Sequence, residues 1–440
     1  MNRLNKNESA RANQRFGDHG RRPAAGILAL GMWLLLHALP VFADDPESFR
    51  AALAQTRPLI DFRVRYEEVD QTGIAEKANA ATLRARLGAE TGKFLDTSLL
   101  VEGEAMIRLD SHYRPDNSVA HYTQFPVVAD PENYALNRVA LTNTSLPGTA
   151  VTVGRQRIVP DDQRFVGNSG WRQNEVTFDA LRVVTKPVAP LTLDLTFLNK
   201  VHRVYGVDSP QGTYKGDSYL ANISYQLGIG KLSGFAYLLD FDSISGLTGA
   251  LDPRRGSTST YGGRFVGEQP VYAIKVGYAV AYAWQKQRAD NPLNFSNDYF
   301  LGELNASVAG FKAAVGDEIM QGNGTVGFAT PLATLHLFEG WADKFLTTPA
   351  NGIKDLYGSL GWNGKKLLGL DSLSATVVYH RFDAERISTS YGSEWDLAVS
   401  GKWHHFAGLL KYADYSAASA TPVAIARDTR KFWAQLEYLW

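Results

Sequence analysis

The sequence predicts an all-β chain, a transmembrane antiparallel β-barrel of about 18 strands with both termini on the periplasmic side. Three observations carry this. Large apolar or aromatic residues alternate with small or polar ones over stretches longer than a soluble strand needs. The connections between these stretches alternate short and long. Past the N-terminus, no apolar run approaches the ~18–20 residues of a membrane helix.

The first element is a leader. Arg21 and Arg22 precede the apolar stretch Ala24–Ala38, followed by Pro40, Val41-Phe42-Ala43 and then Asp44-Asp45. A positive flank, a short apolar region and small residues before an acidic start form a secretory signal. Residues 1–43 are therefore read as a signal peptide with an extended n-region, cleaved after Ala43. Residues 44–57 are a short periplasmic segment, in which Pro46 opens a helix over Glu47–Gln55.

The barrel occupies 58–440. Its plainest strand carries Tyr272, Ile274, Val276, Tyr278, Val280, Tyr282 and Trp284 on one parity. Ala273, Lys275, Gly277, Ala279, Ala281 and Ala283 occupy the other. A strand puts each set on one face, whereas a helix would scatter both. Such a stretch reaches roughly 40 Å at strand rise, which suits a tilted strand crossing a bilayer with Tyr272–Tyr282 on the lipid and Lys275 and Gln285 in the lumen. The same alternation places strands at 58–68, 80–90, 95–108, 136–143, 150–158, 175–185, 190–199, 217–226 and 231–241. It continues at 259–266, 271–285, 297–307, 311–319, 354–362, 370–382, 392–401, 406–413 and 429–440. Short turns fall at Thr91–Lys93, Ser145–Gly148, Lys186–Ala189, Gly228–Gly230, Gly267–Pro270, Ala309-Gly310, Asn363–Gly369 and Lys402–His405. The remaining connections are mostly long, above all 109–135 and 320–353. The last strand sets Phe432, Leu436, Tyr438 and Trp440 in phase, although Trp433 and Leu439 fall on the polar parity. This ending resembles the C-terminal strand signal of bacterial outer-membrane barrels. Outer-membrane lipid and the barrel assembly machinery are the partners it implies.

Composition narrows the function. Lys+Arg 45 balance Asp+Glu 45, so a general nucleic-acid binder is not expected. Cysteine is absent, which removes disulfides, Cys-ligated metals and thiol catalysis. No Gly-x-Ser-x-Gly nucleophile motif occurs. His380 shares a face with Ser374 and Thr376, a position where a histidine is more often structural than catalytic. Asp161-Asp162 and Asp298 lack the ligand spacing of a calcium loop, and Gly322–Gly324 lacks a phosphate loop's Lys-Ser/Thr. No cofactor, metal or catalytic residue is expected.

The inward faces carry the functional candidates. Arg63, Arg65, Arg84, Arg86 and Arg108 lie on the polar parity of the early strands, joined by Arg155 and Arg157, with Glu67, Glu90, Glu102 and Glu104 nearby. Guanidinium groups stay charged and pair bidentately with carboxylates, so they read as an anion-selective lining. Arg–Glu ladders stiffening the wall are the structural alternative. Arg155 and Arg157 share the parity of Val153, so a bulge or a rim position is needed there. In the loop 320–353, Phe338, Trp341 and Phe345 have helical spacing, which predicts a short helix packed in the barrel mouth as a constriction.

Three stretches resemble the alginate-export family of outer-membrane porins. One runs Asp61-Phe62-Arg63-Val64-Arg65-Tyr66-Glu67 and on through Ala81–Gly88. Another runs Gly154-Arg155-Gln156-Arg157-Ile158, through Asp162–Asn168 and Gly170–Asn174, to Thr177-Phe178-Asp179-Ala180. The third runs Thr330–His336, Gly340-Trp341-Ala342-Asp343-Lys344-Phe345-Leu346 and Thr348–Gly352. The resemblance implies an 18-stranded barrel passing a polyanionic uronate polysaccharide or oligosaccharide, with Arg63, Arg65, Arg84, Arg86, Arg155 and Arg157 matching the motif arginines. The turn Lys402–His405 departs from the long gating turn that dedicated exporters carry. A barrel enzyme and a loop-mediated adhesin or structural barrel are the competing functions.

Overall fold

The computed structural model describes residues 46–116, 121–419 and 427–440. The expected signal peptide, 1–43, lies outside the described residues. The described residues begin with helix α1 (Pro46–Ala54), where proline's fixed φ suits the first helical position. Its Ala52 carbonyl accepts from the Gly92 N–H at 3.0 Å, and Phe49 meets Phe94 edge-on at 5.5 Å. The helix is thus tied to the first short turn.

Eighteen strands follow: β1 (Arg57–Gln71), β2 (Ala78–Glu90), β3 (Thr97–Arg108), β4 (Asn133–Asn143), β5 (Thr149–Gln156), β6 (Thr177–Val188), β7 (Leu191–His202), β8 (Thr213–Leu227) and β9 (Gly230–Leu238). The second half comprises β10 (Thr258–Val271), β11 (Ile274–Gln287), β12 (Ser296–Val308), β13 (Phe311–Met320), β14 (Ile353–Leu367), β15 (Leu370–Asp383), β16 (Ser390–Trp403), β17 (Phe406–Ala417) and β18 (Thr429–Leu439). Each strand pairs antiparallel with its sequence neighbours, and β18 returns to β1, with Val64 opposite Leu436 and Arg63 opposite Glu437. Closure leaves no strand edge unpaired.

Each expected strand is present, but several run further than expected and their turns are tighter. Gly267–Pro270 lies within β10, and the turn is Tyr272-Ala273. Tyr272 therefore sits in a turn at φ 55 instead of on a lipid-facing strand. Asn363–Leu367 belongs to β14, leaving Leu368-Gly369 as the turn. Ala309-Gly310 and Leu368-Gly369 both have two residues at positive φ, the geometry that a type I′ hairpin demands. Glycine and proline, read as turn markers, thus misplaced these turns by a few residues, as at Lys186–Ala189, whose first three residues belong to β6.

The outer surface is an apolar belt on one parity: Val280 is 54% exposed on β11, while Gln285 on the other parity is 1% exposed. Val64, Leu87, Leu304, Leu356, Leu397 and Leu436 extend this belt around the barrel. Phe432 and Trp440 are exposed as expected. Trp433, on the wrong parity for lipid, is fully buried inside the barrel. Substituting Val280→Arg, near the middle of β11, should cost about 2–4 kcal/mol in folding into lipid. Denaturant titration in vesicles reads this; a loss below 1 kcal/mol would mean that Val280 does not face hydrocarbon.

Candidate functional site

The four central arginines point inward, yet they do not line open water. Arg65, Arg84 and Arg86 are each no more than 3% exposed. They lie beneath an inner loop, residues 157–176, that folds back from the long-connection end. Arg63 Nη1 donates to the carbonyls of Gly170 (3.1 Å), Trp171 (3.3 Å) and Arg172 (3.5 Å). Arg86 donates to the Gln173 carbonyl at 3.1 Å, and the Arg65 guanidinium lies 4.1 Å from the Trp171 ring centroid. Carboxylates take the other edges: Glu437 for Arg63 (2.7 Å) and Arg84 (2.8 Å), Asp61 for Arg84 (2.6 Å), and Glu104 for Arg86 (2.5 Å). The arginines form a cradle for a segment of backbone. Inward parity was legible in the sequence; the loop that covers this face was not, because strand period says nothing about what returns into the lumen.

The other three arginines sit at the loop end. Arg108 stacks on Tyr113 at 4.4 Å. Arg155 pairs with Asp179 (2.8 Å); the ladder of β5 with β4 and β6 is unbroken there, so Arg155 keeps the outward parity of Val153 and takes a rim position, with no bulge to turn it into the lumen. Arg157 lies past the end of β5 and binds Glu175 at 2.6 Å.

A second inner loop, 321–352, meets the first. Gly167 N–H donates to the Leu332 carbonyl (2.8 Å) and Thr334 N–H to the Gln163 carbonyl (3.0 Å). The infolding expected of this loop is present, but the helix is not. Glu339, Gly340 and Asp343 all have positive φ, which interrupts any helix through Phe338, Trp341 and Phe345. The three aromatics diverge. Phe345 packs on Phe382 at 4.6 Å and near Tyr391 and Tyr415. Trp341 receives the Lys411 ammonium at 3.6 Å. Phe338 lies under the Arg164 guanidinium at 4.7 Å. The loop's tip docks by its backbone: Trp341 and Ala342 N–H groups donate to Asp396 (3.1 Å) and Glu394 (2.6 Å) on β16. Gly340 lies at φ +82, which favours glycine, and a Cβ there would meet the Glu394 carboxylate at 2.5 Å and push it off the Ala342 N–H.

Two cavities flank the segment 335–343. A small one of ≈ 100 Å³, toward the long loops, touches Leu335, His336 and Asp343. A larger one of ≈ 860 Å³ touches Leu337, Phe338, Glu339 and Trp341 and extends along β9–β15 to the turn end at Gly228 and Gln269. The open lumen therefore lies against the wall opposite the arginine cradle. Its inner face carries Lys231, Arg264 and Lys312. Lys231 and Arg264 pair with Asp161 (2.7 Å) and Asp162 (3.0 Å). Lys312 is exposed and has no carboxylate partner among the described residues, as is also true of Lys365 and Lys402. Those two share the inner parity of β14 and β16 and both oppose Ser372 across the sheet. Their sequence signal was available, since each is in phase with the inward residues of its strand, but Lys365 and Lys402 fell within expected turns and Lys312 stands beside one. His380 is held by Asp355 at 2.9 Å on both oxygens.

No family model matches the chain, and no curated protein matches it. Its fold is shared by solved proteins of Pseudomonas aeruginosa. OpdK, solved with vanillate, superposes with a TM-score of 0.66 at 12% identity, over 88% of this chain and 99% of OpdK. OccK2 (OpdF) gives 0.66 at 13% identity, over 88% and 99%; OccK9 (OpdG) gives 0.65 at 14%, again over 88% and 99%. OpdK is described as an outer membrane protein. The likeness is one of fold, a closed 18-stranded antiparallel β-barrel, and does not itself show the narrower alginate-export resemblance.

Electrostatics lock the two loops together. Asp343 accepts from Arg172 (2.8 Å), Lys431 (2.7 Å) and His336 Nδ1 (2.7 Å). Burial works to raise its carboxyl, but His336, Lys431 and Arg172 outweigh it and hold the group well below the usual range. His336 stacks on Trp171 at 4.3 Å. Burial pushes its imidazole well below the ordinary value of 6.5, with Lys411 adding to the effect against Asp343. The docked loop thus holds a neutral histidine, whereas a released loop binds a proton below about pH 6.5. Docking should weaken as pH falls below that value, and His336→Gln should flatten this dependence. Limited proteolysis of the 321–352 segment between pH 5 and 8 measures it; equal cleavage across the range would rule the histidine out as the cause.

Proposed function

We propose that the chain is an outer-membrane diffusion channel for small anionic solutes, uronate-type saccharides among them, with its termini and short turns on the periplasmic side. The carrying observation is the trio Lys312, Lys365 and Lys402, exposed on the inner parity and free of carboxylate partners among the described residues. An ammonium beside a low-dielectric wall draws anions more strongly than one on an open surface. The paired Glu and Asp groups of the lumen temper that field, giving preference without tight capture, as passage requires. The ≈ 860 Å³ cavity adds Tyr357, Asn305 and Gln269, a ring and amides that suit a hydroxylated anion. The segment 335–343 separates the two cavities, which favours a small solute over a continuous polymer. OpdK, of the same fold, was solved with vanillate, a small carboxylate. A rim enzyme or an adhesin would have no use for unpaired cations inside the wall.

On this reading the arginine cradle acts on the pore through the loop it seats. Lys312→Gln, Lys365→Gln and Lys402→Gln together should move the reversal potential in a salt gradient toward cation preference, most at low salt where screening is weak. Arg63→Gln should alter conductance more than ion preference. A reversal potential untouched by the triple change would defeat the reading.

A further inference from the structure

Arg164, on the first inner loop, is 1% exposed and joins two carboxylates that both border the large cavity. Nε donates to Glu318 of β13 at 2.6 Å, and Nη2 donates to Glu339 of the second inner loop at 2.8 Å. Nη1 is buried without a hydrogen-bond partner. Its face rests on Phe338. The guanidinium does not itself border the cavity, whereas its partners Glu339, Glu318 and Phe338 do.

Glu339 also belongs to the segment that divides the two cavities. That segment is held mainly by polar contacts: Glu339 on Arg164, the Trp341 and Ala342 N–H groups on β16, and Asp343 on Arg172 and Lys431. Its apolar side is incompletely packed, with Leu337 54% exposed toward the cavity. Beyond it, Phe345 is buried in the wall and fixes where movement must stop. Positive φ at Glu339 and Gly340 puts a sharp backbone reversal at the point where the latch is made.

We propose that Glu339 is an internal stand-in for the carboxylate of a permeating solute, which takes its place on Arg164 and releases the segment 335–343 to open. This rests on the anion-channel reading and adds to it a recognition group, Arg164, and a solute requirement, an ionised carboxylate. The exchange conserves the charge-assisted contact: one N–H···O interaction is lost as another forms. Two carboxyls share one guanidinium here, and burial pushes the Glu339 carboxyl up, against the pull of Arg164 and with the help of Glu318, which loosens its hold on the guanidinium. The unpartnered Nη1 gives a bidentate solute a second donor that Glu339 leaves unused.

The test uses the full-length protein in planar bilayers and in vesicles. The chain contains no cysteine, so Ala342→Cys supplies a single thiol on the buried side of the segment, where Ala342 is 2% exposed. With chloride alone, a membrane-impermeant thiol reagent should label it slowly. Sodium glucuronate or sodium acetate should accelerate labelling, whereas uncharged glucose should not. Adding Glu339→Gln, which keeps the shape of the side chain, should make labelling fast in every salt and remove the carboxylate effect. Should anion preference persist in the reversal potential while carboxylates leave labelling unchanged, the stand-in role is overturned and the channel reading stands. Should anion preference be missing altogether, the channel reading fails and this proposal fails with it.

Discussion

Asp343 gathers Arg172 from the first inner loop, His336 from its own loop and Lys431 from β18 around one carboxylate, at 2.7–2.8 Å each. Both loops and the wall meet at this group, and the positions of both cavities follow from it. Removing one partner of a buried ion pair costs about 3–5 kcal/mol, because the other charge stays buried and uncompensated. Arg172 and Lys431 would be left short of a counter-charge, and the His336 N–H of an acceptor, if the carboxylate were lost. The contact therefore acts as a register pin. It fixes which backbone amides reach Glu394 and Asp396, and where Trp171 comes to rest between Arg65 and His336.

The barrel was legible in the sequence because a strand's period is a property of its own residues. Tyr278, Val280 and Tyr282 announce a face whatever lies beyond it. The site was only half legible. Parity placed Arg63, Arg65, Arg84 and Arg86 inward, and it could go no further, since the carbonyls of Gly170 to Gln173 that occupy Arg63 and Arg86 come from 87 to 109 residues away along the chain. The helical spacing of Phe338, Trp341 and Phe345 misled for a related reason. Periodicity assumes one continuous conformation, and Glu339 and Gly340 break it at positive φ. Some apparent faults in the pattern were signals of the missing contacts. Trp433 interrupts the polar parity of β18 because it packs on Trp171 and His336 at 5.7 Å each. Lys411 likewise sits among aromatic rings on β17 because the two loops bring Trp171 and Trp341 to it.

The neutral charge balance also has a structural reading. Much of the chain's charge is spent on itself, in Arg–Glu and Arg–Asp contacts between wall and loops, where each guanidinium fork meets a carboxylate or a carbonyl. Such pairs contribute modest net stability once desolvation is counted. What they supply is geometry, because a planar fork accepts few arrangements. A barrel interior filled by hydrocarbon would have been as stable and would have left no water-lined route.

Both inner loops enter from the same end, and this makes the lumen asymmetric along its axis. Near the long loops, the wall residues find partners in the returning chain and become structure. Near the short turns no loop returns, since two-residue hairpins have nothing to fold inward. Charges there must either pair within the wall, as Lys275 does with Glu268 at 3.1 Å, or stay available to solute. Lys312, Lys365 and Lys402 are in the second condition on three strands of one side. The same reasoning explains why they were missed. A lysine beside a tight turn is ordinary on any β protein, and it becomes a candidate for anion recognition only when closure of the barrel turns its face toward an enclosed space.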